Sequence, residues 1–138
     1  MLYTEVLSGL WISDIDMIYN KKFLQDNQIK VIINCTYEHP FSETTKDIQN
    51  IRIPLPNNIY NCIDVLRQNK DKILEFINSQ LEFNHILICC QDGTCISPFI
   101  VSLYLIQYGN IQKSEVRKVI QSKNQAVSMD YDLNLLDL

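Results

Sequence analysis

A thiol, a glycine and two hydroxyls are spaced for anion chemistry in the run Ile86-Leu87-Ile88-Cys89-Cys90-Gln91-Asp92-Gly93-Thr94-Cys95-Ile96-Ser97-Pro98. The apolar residues before Cys90 read as a strand, and Ser97-Pro98 opens an apolar run that reads as a helix. A loop that closes onto a helix N-terminus aims backbone N–H groups inward, and the aligned peptide dipoles add positive charge there. Such a cradle binds oxyanions and favours the thiolate of a cysteine at its rim. Gly93 lets the loop backbone turn inward. Ser97 is expected to cap the helix, and Pro98 to take its first position, where a missing N–H costs nothing. The same Cys-x-x-Gly spacing also fits an ordinary strand–helix connection in which the thiol packs as a small apolar group.

Holding such a loop in place takes alternating strands and helices. Strands are expected at 2–7, 10–13, 30–35, 49–53 and 85–90, and helices at 16–27, 61–82, 97–108, 112–122 and 130–137. The near-continuous apolar runs from Ile29 to Cys35 and from His85 to Cys90 suit parallel strands buried on both faces. Cys62, Val65, Leu66, Ile73, Phe76, Ile77 and Leu81 recur at helical spacing as one core stripe. Ile100, Leu103, Tyr104 and Ile106 make the helix behind the loop apolar on most sides, which places it centrally, and Gly109-Asn110 ends it. The expected fold is α/β, a single domain over 1–138 with a central, twisted, mostly parallel sheet flanked by helices.

Cys90, Gly93 and Ser97 fall in register on the pattern Cys-x-x-Gly-x-x-Arg-Ser/Thr, so the loop resembles the phosphate-binding loop of cysteine-dependent protein phosphatases. The resemblance runs through the chain in order. Gly9-Leu10-Trp11-Ile12-Ser13-Asp14 is similar to the opening strand of a small dual-specificity phosphatase. The stretch from Phe23 to Thr36 is similar to its helix end and following strand, and Ile51 to Asn58 to the strand and loop that carry the general acid. Ala126 to Leu136 lies where that family has Pro-Asn-x-x-Phe and a closing helix. The chain is too short for the larger classical tyrosine phosphatase fold.

The resemblance implies a nucleophile at Cys90 and a loop of Cys90, Gln91, Asp92, Gly93, Thr94, Cys95, Ile96 and Ser97 around the phosphate. It also exposes departures. The arginine that would clamp phosphate bidentately and stabilise charge in the transition state is Ile96, which offers no donor. An arginine of this kind is worth about 1,000- to 100,000-fold in phosphoryl transfer. The general-acid aspartate, a role worth ~100- to 10,000-fold, is replaced by Asn57 or Asn58, and an amide has no proton to give at neutral pH. Asp64, the next carboxylate, falls where the following helix begins, and Cys89 stands where the family usually has a histidine. These losses imply a catalytically inactive domain that acts as a protein-binding or scaffolding module and retains at most weak oxyanion binding. Two alternatives stay open: a phosphatase with residual Cys90-dependent activity, and a structural or virion component that kept only the fold.

Composition narrows the partners. With 12 basic and 16 acidic residues the chain lacks a nucleic-acid footprint, and no apolar run approaches the ~20 residues of a membrane span. The expected partner is a protein, with phosphorylated proteins among the candidates. Residues 1–10 include Glu5 and no basic segment, so they do not read as a signal peptide. Five scattered cysteines fit reduced thiols in the cytosol, with the nucleus or a virion as other settings. No cofactor is expected. His85, Cys89, Cys90 and Cys95 match no common zinc spacing, so no metal is expected; a redox pair of Cys90 with Cys95 is a minor reading that requires the loop to bring both thiols close. Arg52, Tyr37, His39 and Tyr60 are candidates for the mouth of the site.

Overall fold

His85–Cys90 forms the middle strand of a five-stranded sheet, and its last residue is the thiol that opens the loop. The computed structural model describes residues 2–138. In chain order the strands are β1 (Tyr3–Leu7), β2 (Leu10–Asp14), β3 (Ile29–Asn34), β4 (Gln49–Arg52) and β5 (His85–Cys90), arranged β1-β2-β5-β3-β4. Only β1 and β2 are antiparallel; β2, β5, β3 and β4 run parallel. The helices are α1 (Lys21–Asp26), α2 (Ile63–Leu81), α3 (Ile96–Gln107) and α4 (Lys113–Lys123).

Side chains alternate across a strand, so an all-apolar strand requires cover on both faces. Ile86, Ile88 and Cys90 point into the main core with α2, α3 and α4. Leu87 and Cys89 point the other way, into a smaller core with Ile15, Met17, Ile18, Phe23, Leu24, Ile29 and Ile32. Helix α3 is buried from Ile96 through Leu105, which explains its lack of a polar face. Helix α2 buries only Leu66, Leu74 and Ile77 fully, as expected for a helix on the outside of the molecule.

The expected helices shorten where polar side chains bind their own backbone. The expected helix over 16–27 is split into a 3-10 turn, Ile15–Tyr19, and α1. Asn20 breaks it: its Oδ1 accepts the Phe23 N–H at 3.0 Å and starts a new helix there. The expected start of α2 near 61 gives way to a 3-10 turn, Ile59–Asn61, capped by Asn58. The expected helix at 130–137 is a 3-10 turn, Leu133–Leu136, begun by Asp132, whose Oδ1 accepts the Asn134 N–H at 2.9 Å. Beyond α3 the left-handed residue is Asn110, at φ 55°, and the Ile111 N–H reaches back to the Leu105 carbonyl at 3.1 Å.

Phe99, fully buried, packs edge-on against Tyr131 with ring centroids 5.1 Å apart. Phe99→Ala is expected to lower unfolding free energy by about 3–5 kcal/mol in denaturant titrations followed by Trp11 fluorescence. Val65→Ala, at a side chain 39% exposed, should change it by roughly 0.5 kcal/mol or less.

Candidate functional site

The residues after β5 wrap the N-terminus of α3, and their donors converge on one sulfur. Cys90 Sγ accepts the Gly93 N–H at 3.2 Å and the Ser97 N–H at 3.4 Å, and Ser97 Oγ lies 3.2 Å away. Two backbone donors and one hydroxyl thus meet at a single buried sulfur. Helix α3 begins at Ile96, and its N-cap, Cys95, makes no side-chain cap bond. Ser97 therefore does not cap the helix as expected; it sits one residue inside, with its hydroxyl turned to the thiol. Pro98 takes the third helical position, not the first, and its missing N–H is still one that the first turn leaves unpaired. The thiol itself serves as the acceptor for the new helix end.

Gly93 is fixed by sterics as well as by its φ of 75°. A Cβ there would lie 2.6 Å from the Asp14 nitrogen, 2.7 Å from the Ser13 carbonyl carbon and 2.8 Å from Leu2 Cδ2. The loop is thus flush against the end of β2. On its other side the Met129 N–H donates to the Thr94 carbonyl at 2.9 Å. Arg117 holds that segment, donating to the Met129 and Tyr131 carbonyls at 3.2 and 2.6 Å with its guanidinium over the Tyr131 ring.

Beside the loop lies a cleft of about 220 Å³, lined by Cys35, Thr36, Tyr37, Glu38, His39, Leu55, Asn57 and Gln91. His39 Nε2 and Gln91 Oε1 meet across it at 2.7 Å. Of the expected mouth residues, Tyr37 and His39 line the cleft and Tyr60 does not. Arg52 stands behind the wall, donating to the Thr36 carbonyl at 2.8 Å and the His39 carbonyl at 2.7 Å, and stacking over Phe41. Asn57 is in the cleft, whereas Asn58 spends its side chain capping the turn that follows, accepting the Tyr60 N–H at 2.9 Å. The buried Cys62 thiol is 3.2 Å from both the Pro56 and Asn58 carbonyls and anchors this loop. Ile96 is 1% exposed within the main core, and Cys90 is fully buried and outside the cleft lining.

One residue carries a role that the loop pattern did not suggest. Asp92 Oδ1 accepts the Thr94 N–H at 3.0 Å, closing a small turn with a carboxylate inside the loop. The aspartate two residues before Thr94 is the sequence signal for such a turn. Among the described residues no group of His, Cys, Asp or Glu is placed to hold a metal ion. All five cysteines are free thiols.

Burial, reinforced by neighbouring Cys90 and by Asp92 and Asp130, pushes the Cys95 thiol up to about 11. Burial likewise raises Cys62 to about 11 and lifts Cys35 and Cys89 further. Between the ordinary thiol range and these raised values the unfolded chain has lost protons that the folded chain keeps. The contribution of these thiols to folding stability is therefore expected to be constant from about pH 7 to 8 and to fall steadily above about pH 9. Urea titrations across pH 7–11 check this; a flat profile would mean that the buried thiols ionise freely in the fold.

Sequence and structure comparisons agree with this geometry. No curated protein sequence matches the chain. The fold is similar to human DUSP28 at 12% identity, with a TM-score of 0.84 and coverage of 98% of this chain and 90% of the other. It is similar to DUSP15 at 20% identity, with a TM-score of 0.84 and coverage of 98% and 85%. It is also similar to the human tyrosine phosphatase-like serine/threonine/tyrosine-interacting protein at 17% identity, with a TM-score of 0.80 and coverage of 98% and 93%. The profile of the dual specificity phosphatase catalytic domain matches residues 10–135, and the chain belongs to that family.

Proposed function

We propose that this chain is a phosphatase-like domain that does not turn over phosphate esters and works as a protein-binding module. Ile96 carries the reading. It stands where the family pattern has its arginine, and its side chain is sunk in the main core at 1% exposure instead of folded toward the loop. Nothing at that position can clamp two phosphate oxygens or neutralise charge as a phosphoryl group transfers. Asn57, the general-acid candidate in the cleft, has no proton to give. The Gly93 and Ser97 N–H groups are already engaged by sulfur, and the Thr94 N–H by Asp92, which leaves oxyanion affinity weak. The partner is a protein, and a phosphorylated one would meet only this weakened cradle. Free thiols, four of them buried, suit a reducing compartment such as the cytosol.

Hydrolysis of p-nitrophenyl phosphate is expected to stay at background across pH 5–8. Turnover that disappears in Cys90→Ser and approaches that of working phosphatases would overturn the reading.

Two substitutions separate binding from rate. Ile96→Arg is expected to gain vanadate affinity first, because binding needs only the guanidinium fork. Ile96→Arg with Asn57→Asp should then raise turnover roughly 100-fold or more above the parent, as clamp and acid are restored together. Circular dichroism keeps the comparison to folded protein. Folded variants that bind no vanadate would mean that the loop has lost its cradle, and would favour a role for the fold alone.

A further inference from the structure

The edge of the sheet next to the cleft carries a second surface. Strand β4 is an outer strand, paired only with β3. The Ile53 N–H donates toward β3, to the Asn34 carbonyl at 2.9 Å. By the alternation of a strand, the N–H and C=O groups of Asn50 and Arg52 then face outward. Among the described residues no backbone group meets them. Natural edges are usually guarded by a covering element, a bulge or charge; this one opens onto a groove.

The groove measures about 410 Å³ and lies where α2 overhangs β4. Its floor is Ile51 and Ile53, which share one face of the sheet with Ile33, and its roof is Val65, Ile73 and Phe76 on one side of α2. Lys72 stands exposed at the rim, with no carboxylate in ion-pair range among the described residues. We infer that the β4–α2 groove docks an extended segment of a partner protein, which adds as a further strand to β4, drops an apolar side chain under α2 and meets Lys72 with a carboxylate. A free strand edge selects an extended chain because only that geometry satisfies its alternating donors and acceptors, while the pocket beside it selects side chains at every second position. The unpaired lysine sets the sign of the partner's charge.

The groove and the cleft are joined through the chain that follows β4. Pro54 in the groove adjoins Leu55 in the cleft, and Arg52 reaches from the groove to the Thr36 and His39 carbonyls of the cleft wall. A strand seated on β4 would therefore lie against the loop that positions Asn57. This assignment deepens the reading of the chain as a binding module by giving the partner's form and charge.

The test pans a phage-displayed library of random dodecapeptides on the full chain and measures synthetic winners by fluorescence anisotropy. Expected winners alternate apolar residues and carry an Asp or Glu. Val65→Glu, at a side chain already 39% exposed, should weaken them about tenfold or more. Lys72→Glu should weaken the acidic winner and be rescued by a peptide with Lys in place of its acid. In hydrogen exchange, the Asn50 and Arg52 amides should gain protection on binding. The inference fails if no peptide is enriched, if winners lack the period of two, or if binding ignores both substitutions. It also fails if sedimentation finds a dimer that Val65→Glu dissolves, since a second copy would then occupy the groove. Hydrolysis of an aryl phosphate would sink the non-catalytic reading and leave the groove standing; an absence of peptide binding would do the reverse.

Discussion

The convergence of loop N–H groups on the Cys90 sulfur is the interaction on which the rest of the site depends. The sulfur sits at the end of the most buried strand and accepts from Gly93 and Ser97, so it fixes where α3 begins and how the loop closes. Everything around it works as a brace. Gly93 lies against the end of β2, the 129–131 segment holds Thr94 from outside, and Arg117 holds that segment. A loop braced on two sides keeps its shape with an isoleucine, Ile96, at the start of α3. Scaffold and chemistry are thus separable here, because backbone donors and packing make the one while side chains at a few positions make the other.

The cleft wall follows the same logic. Arg52 is one of three arginines in the chain, and its guanidinium is spent on carbonyls. A guanidinium engaged with two backbone oxygens and stacked on Phe41 is a structural fastener, held behind the surface that a ligand would touch. Arg52 behind the cleft wall and Arg117 behind the 129–131 segment both hold protein carbonyls, and Asp92 adds negative charge inside the loop. These two guanidinium charges are thus engaged with the protein's own backbone, and the loop carries a carboxylate beside its backbone donors.

The strands were legible because burial on both faces leaves unbroken apolar runs, as in Ile86 to Cys90, and the order of motifs fixed how they connect. The first and last helices were not, for a local reason. Asn20 and Asp132 bind nearby backbone N–H groups, and such competition depends on rotamers that composition does not display. The loop was legible as a strand–glycine–helix signal, but the helix start was misplaced by one residue. Ser97 looks like a cap in sequence; only the position of the sulfur reveals that its hydroxyl has another neighbour. That Asn58 caps the turn at Ile59–Asn61 was likewise not visible in the sequence, where Asn57 and Asn58 are equivalent amides. The role of Asp92 needed the Thr94 N–H to be seen on its carboxylate.

That small turn at Asp92 has a thermodynamic meaning. A carboxylate tethered two residues from the N–H it binds is present at an effective concentration in the millimolar range or above, as short linkers generally provide. An anion approaching the Thr94 N–H would compete with that carboxylate on those terms. An anion at that N–H would also sit close to the Asp92 carboxylate, a like-charge repulsion that grows as water is excluded. The chain thus supplies, two residues away, the acceptor for one of its own loop donors.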